Sequence, residues 1–233
     1  MRKIAFVPAR SGSKRFPNKN ITYLNGKPLI VWAVNSFLLS ECFDKVIFSS
    51  DSEEYFEILT KFISSDLIEF HQRSENEAGD KIKIFDYVKE NIYKWCDPYD
   101  LFALGLPTCP FRKPLHVKEC MKMAIKTGKS IFSACEYDFH VPFAFSAVYE
   151  NSEISGWSSP FKDTPLLTGN TRSQDQIKYF HPNGAIYVIK PNSISRETKT
   201  FYENSIPYIM TKDDSIDIDN KEDLELAELF LKR

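Results

Sequence analysis

Short apolar segments rich in β-branched and aromatic residues alternate along this chain with segments whose apolar residues recur at helical spacing. A first strand is predicted over about Lys3 to Val7, and a helix that follows Pro28 runs to about Leu38. Further strands are predicted near 45–49, 67–70, 100–106, 130–134, 184–189 and 207–210, with helices after Ser52 and near 80–95, 115–127 and 221–231. Such alternation is typical of βαβ units, so the pattern predicts an α/β fold with a mainly parallel sheet.

The periodicity stops between about residues 139 and 178, where aromatic residues are mixed with Gly156, Pro160, Pro165 and Gly169. We interpret this segment as an excursion from the sheet. A chain of 233 residues is long enough for one sizeable core. The sequence therefore predicts a single domain over 1–233 that carries the excursion 139–178.

Composition and charge narrow the choice of ligand. The formal net charge is -2, which gives no general basic field, so we expect no nucleic-acid partner. No run approaches the ~20 apolar residues of a membrane span, and the N-terminus lacks a signal-peptide core, so we expect a cytoplasmic protein without a membrane partner. The five cysteines form no C-x-x-C pair, which argues against a disulfide framework or a zinc site.

The first strand opens directly into a loop that carries cations at Arg10, Lys14, Arg15 and Lys19 around the single glycine Gly12. Backbone N–H groups near such a glycine bind phosphate oxygens, and the cations neutralise phosphate charge. The single glycine excludes both the P-loop and the dinucleotide-binding patterns, which need more than one. A solvated basic loop is the alternative interpretation.

A second candidate site is the acidic alternation Asp217-Ile218-Asp219 shortly before the last predicted helix. In an extended chain the two carboxylates project from one face. Mg²⁺ is commonly bound by one or two carboxylates together with substrate phosphates. The alternative is a solvent-facing segment before a helix that Asn220 and Asp223 cap.

The loop string from Ala9 to Asn20 resembles the signature A-R-x-G-S-K-x-x-P-x-K-N of the acylneuraminate cytidylyltransferases, which activate sialic and related nonulosonic acids as CMP-sugars. The D-S-I-D-I-D string that ends at Asp219 resembles the metal-binding motif of that family. The resemblance covers nearly the whole chain. Further matching segments are Ser50-Asp51-Ser52, Arg73 with Ala78 and Asp80, Pro107-Thr108 with Pro110 and Arg112, Arg172 with Gln174 and Asp175, and Asn183 to Tyr187.

The resemblance implies a Rossmann-like three-layer αβα sandwich and a nucleotidyltransferase that forms a CMP-sugar and pyrophosphate from CTP and a nine-carbon sugar acid. It also implies Mg²⁺ or Mn²⁺, a homodimer that uses segment 139–178 for dimerisation or sugar binding, and a place in cell-surface glycan biosynthesis. The implied catalytic residues are Arg10, Lys19, Asp217 and Asp219, the two aspartates being the metal ligands. The implied nucleotide-binding residues are Arg10, Ser11, Gly12, Ser13, Lys14, Asn20, Arg73, Asp80 and Thr108, and the implied substrate-binding residues are Leu106, Arg172, Gln174 and Tyr187.

Departures from the family pattern concern the sugar. Leu106 stands where sialic acid synthetases carry a glutamine, and the lysine expected after His140-Val141-Pro142 is absent. Polar substrate groups facing that wall would lose hydrogen-bond partners, so we expect a deoxy or more heavily acylated acid of the legionaminic or pseudaminic type. A CMP-Kdo-type synthetase and a catalytically silent nucleotide-binding module are the alternatives.

Overall fold

The computed structural model describes residues 1–232. The strands are β1 (Lys3–Pro8), β2 (Tyr23–Leu24), β3 (Lys27–Pro28), β4 (Lys45–Ser50), β5 (Ile68–Gln72), β6 (Leu101–Leu104), β7 (Ser130–Glu136), β8 (Ser146–Glu150), β9 (Glu153–Ser158), β10 (Phe180–Ile189) and β11 (Ser205–Ile209). The α-helices are α1 (Leu29–Leu38), α2 (Glu53–Thr60), α3 (Ile84–Asn91), α4 (Pro114–Thr127), α5 (Pro165–Thr168) and α6 (Lys221–Leu231). No helix within residues 1–232 is both long and apolar enough to cross a membrane.

A seven-stranded sheet in the order β11-β7-β10-β6-β1-β4-β5 forms the centre of the fold. Strand β1 pairs in parallel with β4 and with β6, β4 pairs in parallel with β5, and β11 pairs in parallel with β7. Strand β10 runs antiparallel to β6. The predicted α/β class with a mainly parallel sheet is confirmed, and the sheet is mixed because of β10.

Both faces of this sheet are covered, which explains the nearly continuous apolar character of its central strands. Successive side chains of β1 point to opposite faces: Ala5 and Val7 belong to one buried cluster, and Ile4 and Phe6 belong to another. Residues of α1, α2 and α4 pack in the first cluster, and residues of α3 pack in the second. This layering is the three-layer αβα arrangement that the family resemblance implies.

Helix boundaries follow from local chemistry. Helix α4 ends at Gly128, whose φ of 69° is in the left-handed region that favours glycine. Helix α6 begins with the predicted capping box, in which Asn220 and Asp223 each accept a hydrogen bond from the other's backbone N–H. The prediction of a helix from about residue 80 was wrong at its start, because Asp80 forms ion pairs in a loop and α3 begins only at Ile84.

The contacts divide the chain into two compact units. The first contains Met1–Ala134 and the segment that begins at Pro182, and therefore the seven-stranded sheet except the last two residues of β7 and the first two of β10. The second, Cys135–His181, contains the antiparallel hairpin of β8 and β9 and the short helix α5. Its hairpin exposes large apolar side chains, including Tyr149, Ile154 and Trp157. The single domain, and the dimerisation or sugar-binding role of 139–178, stay predictions.

Candidate nucleotide site

A pocket of about 470 Å³ opens in the first unit at the carboxyl ends of β1, β5 and β6. Open α/β sheets bind ligands at this edge, because loops from several parallel strands meet there. The charged lining residues are Arg10, Lys14, Arg15, Lys19, Arg73, Glu77, Asp80, Asp217 and Asp219. The remaining lining residues are Pro8, Ser13, Asn20, Ala78, Ile82, Ile84, Tyr87, Leu106, Pro107 and Thr108.

The loop after β1 is held by its neighbours. The Asp51 carboxylate accepts hydrogen bonds from the Ser11 backbone N–H at 2.8 Å and from Ser11 Oγ at 2.7 Å. The buried Asn20 side chain donates to the Arg10 carbonyl oxygen at 2.8 Å. Ser11 and Gly12 are absent from the pocket lining. Gly12 has no left-handed φ, and a Cβ there would meet open space, so neither the backbone conformation nor the packing of the loop requires a glycine at this position.

Two carboxylates pair with the loop cations. Asp80 binds Arg10 Nη1 at 2.7 Å and Lys14 Nζ at 2.6 Å. These cations hold the pKa of Asp80 below its ordinary value, with the Lys14 hydrogen bond as the largest favourable contribution. Asp219 binds Lys19 Nζ at 2.6 Å and Arg15 Nη2 at 2.7 Å. The basic loop is therefore tied to the acidic segment near the C-terminus.

Arg73 is the most unusual cation of the pocket. Arg73 is only 5% exposed. Its Nη2 donates to the Ser49 carbonyl at 3.3 Å, and its guanidinium lies 5.6 Å from the centre of the Tyr87 ring. Its Nε is buried without a hydrogen-bond partner in the structure, and burial lowers the pKa of the side chain. A buried unpaired donor is costly, and Arg73, as a cation of the pocket lining, can bind an anionic ligand through its guanidinium.

The acidic segment is held at the end of β6. The Ile218 N–H donates to the Thr108 carbonyl at 2.8 Å, and the Ile218 side chain is fully buried. Asp217 is open to the pocket but recessed among protein atoms, so desolvation raises the pKa of its carboxyl, and the nearby charge of Asp219 raises it further. The pKa of Asp219 is lowered, because the cation contacts, led by Lys19, outweigh its desolvation.

The donor set fits a hard divalent cation. Asp217 and Asp219 line the same pocket and are close enough for their charges to interact. Within residues 1–232 no group of three or more His, Cys, Asp or Glu side chains could hold a metal ion by itself. A metal here would therefore complete its coordination with ligand oxygens and water, which is the usual behaviour of Mg²⁺.

The pocket is supported by residues whose roles the sequence alone did not reveal. Arg112 is 2% exposed and donates to Ser36 Oγ at 2.8 Å, to the Leu106 carbonyl at 3.2 Å and to the Ala185 carbonyl at 2.6 Å. It thereby joins α1, the end of β6 and the start of the buried part of β10. Gly105 is required here, since a Cβ would lie 2.5 Å from Arg112 Nη1.

The proposed sugar-binding residues do not all line this pocket. Leu106 lines it and also lines a second pocket of about 240 Å³, to which Tyr187 belongs. Tyr187 is 7% exposed, and its hydroxyl lies 3.2 Å from that of Tyr202. Arg172 and Gln174 belong to the second unit, where Arg172 Nε lies 3.7 Å from the Asp175 carboxylate.

Comparison with known proteins agrees with this chemistry. The family model described as cytidylyltransferase matches residues 4–93. The N-acylneuraminate cytidylyltransferase of Escherichia coli O18:K1:H7 is 34% identical over 96% of this chain, which spans 51% of that relative's length. A pseudaminic acid cytidylyltransferase of Campylobacter jejuni is 28% identical, covering 100% of this chain and 97% of the relative. The CMP-N,N'-diacetyllegionaminic acid synthase of Legionella pneumophila is 29% identical with the same two coverages.

Among solved structures, a CMP:2-keto-3-deoxy-manno-octonic acid synthetase in complex with CTP superposes with a TM-score of 0.69 at 15% identity, covering 100% of this chain and 99% of that one. A 4-diphosphocytidyl-2C-methyl-D-erythritol synthase of Anaerococcus prevotii gives a TM-score of 0.62 at 14% identity, with coverages of 100% and 96%. At such identities the similarity establishes the fold alone. This chain spans about half the length of the E. coli relative.

Proposed function

We propose that this chain is an acylneuraminate-type cytidylyltransferase, which transfers the cytidylyl group of CTP to a nonulosonic acid and releases pyrophosphate. The observation that carries the proposal is the convergence of four cations with the carboxylates of Asp217 and Asp219 in one pocket, the cations being Arg10, Lys14, Lys19 and Arg73. The anomeric hydroxyl would attack the α-phosphorus, a new P–O bond would form, and the bond to the pyrophosphate oxygen would break in line. The hydroxyl proton would pass to water.

The residues supply what this reaction requires, since phosphoryl-type transfer depends chiefly on positioning and charge neutralisation. Arg10, Lys14 and Lys19 would bind the triphosphate after exchanging their present carboxylate partners for phosphate oxygens. The buried Arg73 would donate from its guanidinium to the nucleotide. Asp217 and Asp219 would hold Mg²⁺ or Mn²⁺, which when bound supplies charge neutralisation at the phosphates.

The sugar acid is the finer part of the proposal. Leu106 gives the wall between the two pockets an apolar side chain, and an unpaired substrate hydroxyl or amide there would cost roughly 1–3 kcal/mol. We therefore propose a legionaminate- or pseudaminate-like acid as the preferred substrate. The exposed Arg172 is the candidate partner for the sugar carboxylate, because its guanidinium can bind a carboxylate through two hydrogen bonds.

The test is pyrophosphate release from CTP with N-acetylneuraminate, legionaminate-type, pseudaminate-type and Kdo acids, with reactions lacking a sugar acid or containing UTP as controls. We expect a legionaminate- or pseudaminate-type acid to exceed N-acetylneuraminate by about tenfold in kcat/KM. N-acetylneuraminate as the best substrate would refute the interpretation of Leu106. Kdo as the best substrate would favour a CMP-Kdo-type synthetase, and no release with any acid would favour a silent nucleotide-binding module.

The assembly and location are further proposals that rest on the family resemblance. We propose a cytoplasmic homodimer whose product feeds cell-surface glycan synthesis. The exposed apolar side chains of the β8–β9 hairpin support the use of the second unit in dimerisation. Light scattering coupled to gel filtration measures the mass directly, and a monomer at micromolar concentration would contradict the dimer.

A further inference from the structure

A buried series of hydrogen-bonded polar side chains connects the sheet with the acidic segment. Ser133 on β7, Asn183 on β10 and Ser215 are 1%, 5% and 9% exposed. Ser133 Oγ lies 2.6 Å from Asn183 Oδ1, and Asn183 Nδ2 lies 2.8 Å from Ser215 Oγ. Buried polar groups joined in this way fix one local conformation, because each group loses its partner if another moves.

The donor and acceptor of each hydrogen bond in this series are fixed by the neighbouring groups. Asn183 Oδ1 accepts from Ser133 Oγ and from the Ala185 N–H, so its Nδ2 faces Ser215 and donates to it. Ser215 Oγ then donates its single proton to the Thr211 carbonyl at 2.6 Å. Ser215 therefore uses its hydroxyl once as acceptor and once as donor, and both bonds restrain the turn of 3₁₀ helix Asp213–Ser215.

This turn is one of two anchors on either side of Asp217. On the other side, the Ile218 N–H binds the Thr108 carbonyl. Cys109 adds a third link, since its Sγ lies 3.1 Å from the Asn183 carbonyl oxygen and 3.8 Å from Asp217 Oδ1. Within residues 1–232 the Asp217 carboxylate has no ion pair, and it is placed by this restrained backbone together with side-chain hydrogen bonds from Thr108 and Cys109.

We propose that Ser215, through its bond from Asn183, is a positioning residue that holds Asp217 where a divalent cation can bind beside CTP. The inference rests on the proposed function for the identity of the nucleotide, and it adds a residue that does not itself touch the ligand. Its physical basis is that outer-shell hydrogen bonds orient metal ligands, and their loss commonly weakens metal binding by about 10–100-fold.

The experiment compares Ser215→Ala with a matched control, Ser40→Ala. Ser40 is fully buried, and its Oγ donates to the Phe37 carbonyl at 2.6 Å and accepts from the Cys42 N–H at 3.3 Å. The Ser40→Ala variant therefore loses one donated and one accepted hydrogen bond, as Ser215→Ala does, but outside the acidic segment. Mn²⁺ binding is measured by the electron paramagnetic resonance signal of the free ion in saturating CTP, together with the Tm.

Both alanine variants should lower the Tm by a few degrees. Only Ser215→Ala should raise the Kd for Mn²⁺, by about tenfold, with the Kd for CTP in EDTA unchanged. Ser215→Thr, which keeps the hydroxyl, should restore Mn²⁺ binding. If Ser215→Ala does not fold, Ser215→Cys provides the same comparison, because a thiol weakens both bonds at similar size.

Equal Mn²⁺ affinity of Ser215→Ala and Ser40→Ala would overturn the positioning role, whatever the catalytic activity. Failure of the wild-type protein to bind Mn²⁺ in the presence of CTP would overturn it as well. If the wild-type protein releases no pyrophosphate with any sugar acid while the Mn²⁺ difference persists, the proposed function fails and the positioning role stands.

Discussion

Two buried arginines allow a decisive comparison between a residue kept for binding and one kept for structure. Arg73 and Arg112 are 5% and 2% exposed. Arg73 belongs to the pocket lining and its buried Nε has no hydrogen-bond partner within residues 1–232, whereas Arg112 lies outside the pocket lining and its three nitrogens all donate hydrogen bonds. We consider Arg73→Met and Arg112→Met, which replace each side chain by an unbranched apolar one.

For Arg73→Met the free energy of unfolding should change little. The variant removes a buried unsatisfied donor that costs about 1–3 kcal/mol. It loses one long hydrogen bond to the Ser49 carbonyl, worth about 1 kcal/mol, and the contact with the Tyr87 ring, worth about 0.5–1 kcal/mol. The net effect lies within about 2 kcal/mol of zero, which corresponds to a Tm change of less than about 8 °C.

For Arg112→Met we expect a loss of stability. The Ala185 carbonyl and Ser36 Oγ lose a donor at about 1–3 kcal/mol each, and the contact with the Phe37 ring at 4.7 Å is lost, worth about 1–2 kcal/mol. Burial lowers the pKa of the guanidinium to about 10, and removing that desolvation returns roughly 3 kcal/mol. The net loss is about 0–5 kcal/mol, and its midpoint of roughly 2.5 kcal/mol corresponds to a fall of about 5–10 °C in Tm.

CTP binding should be weakened more by Arg73→Met than by Arg112→Met, the reverse of the order expected for stability. Loss of a hydrogen bond from a charged donor costs about 1.5–3 kcal/mol, so the Kd of Arg73→Met for CTP should rise by about 10–150-fold. The folded Arg112→Met protein should bind CTP nearly normally. Calorimetric titration with CTP and thermal unfolding without ligand measure both quantities. The reasoning is refuted if Arg73→Met keeps the wild-type Kd, or if it is the less stable of the two variants.

Three further predictions concern single positions. Asp217→Asn should lower turnover by on the order of a hundredfold without lowering the Tm, since burial already opposes the charge of this group; normal turnover at low Mg²⁺ would exclude its role. Gly105→Ala should destabilise the protein by about 2 kcal/mol or more, because its Cβ would lie 2.5 Å from Arg112 Nη1 and 2.7 Å from the Ala185 oxygen, and an unchanged urea midpoint would show that the guanidinium moves freely. Burial lowers the pKa of His71, so its contribution to stability is complete above about pH 6.5 and is lost as the pH falls through the folded-state pKa; His71→Gln should therefore show a smaller fall in Tm between pH 7 and pH 5 than the wild type, and parallel curves would contradict this.

The fold was predictable because its signals are local. The apolar run of β1, the helical spacing of α1 and the Asn220–Asp223 capping box each lie within a few residues, and each appears in the structure with nearly the predicted bounds. The direction of β10 was not predictable from its own residues. Its antiparallel pairing with β6 depends on the path of the chain after the second unit.

The residues that support the site could not be predicted either, because their contacts also join parts of the chain that are distant in sequence. Arg112 belongs to a recognisable string, but its acceptors come from Ser36, Leu106 and Ala185, which only the folded sheet brings together. Gly105 stands in an apolar run without a turn signal, and its requirement becomes visible only when the guanidinium beside it is located.

The sequence patterns identify the charged residues of the site, but they do not predict the ion pairs that these residues form with one another. Each motif carries one predominant sign of charge, so the sequence predicts that the cations bind phosphate and that the aspartates bind nucleotide or metal. In the fold, Asp80 and Asp219 neutralise the loop cations across 70 and 200 residues of sequence. Cations collected in a pocket repel one another, so the chain's own carboxylates stabilise the loop in the absence of phosphate. A triphosphate must therefore compete with these carboxylates for the cations, and its higher charge, spread over several oxygens, allows it to displace them.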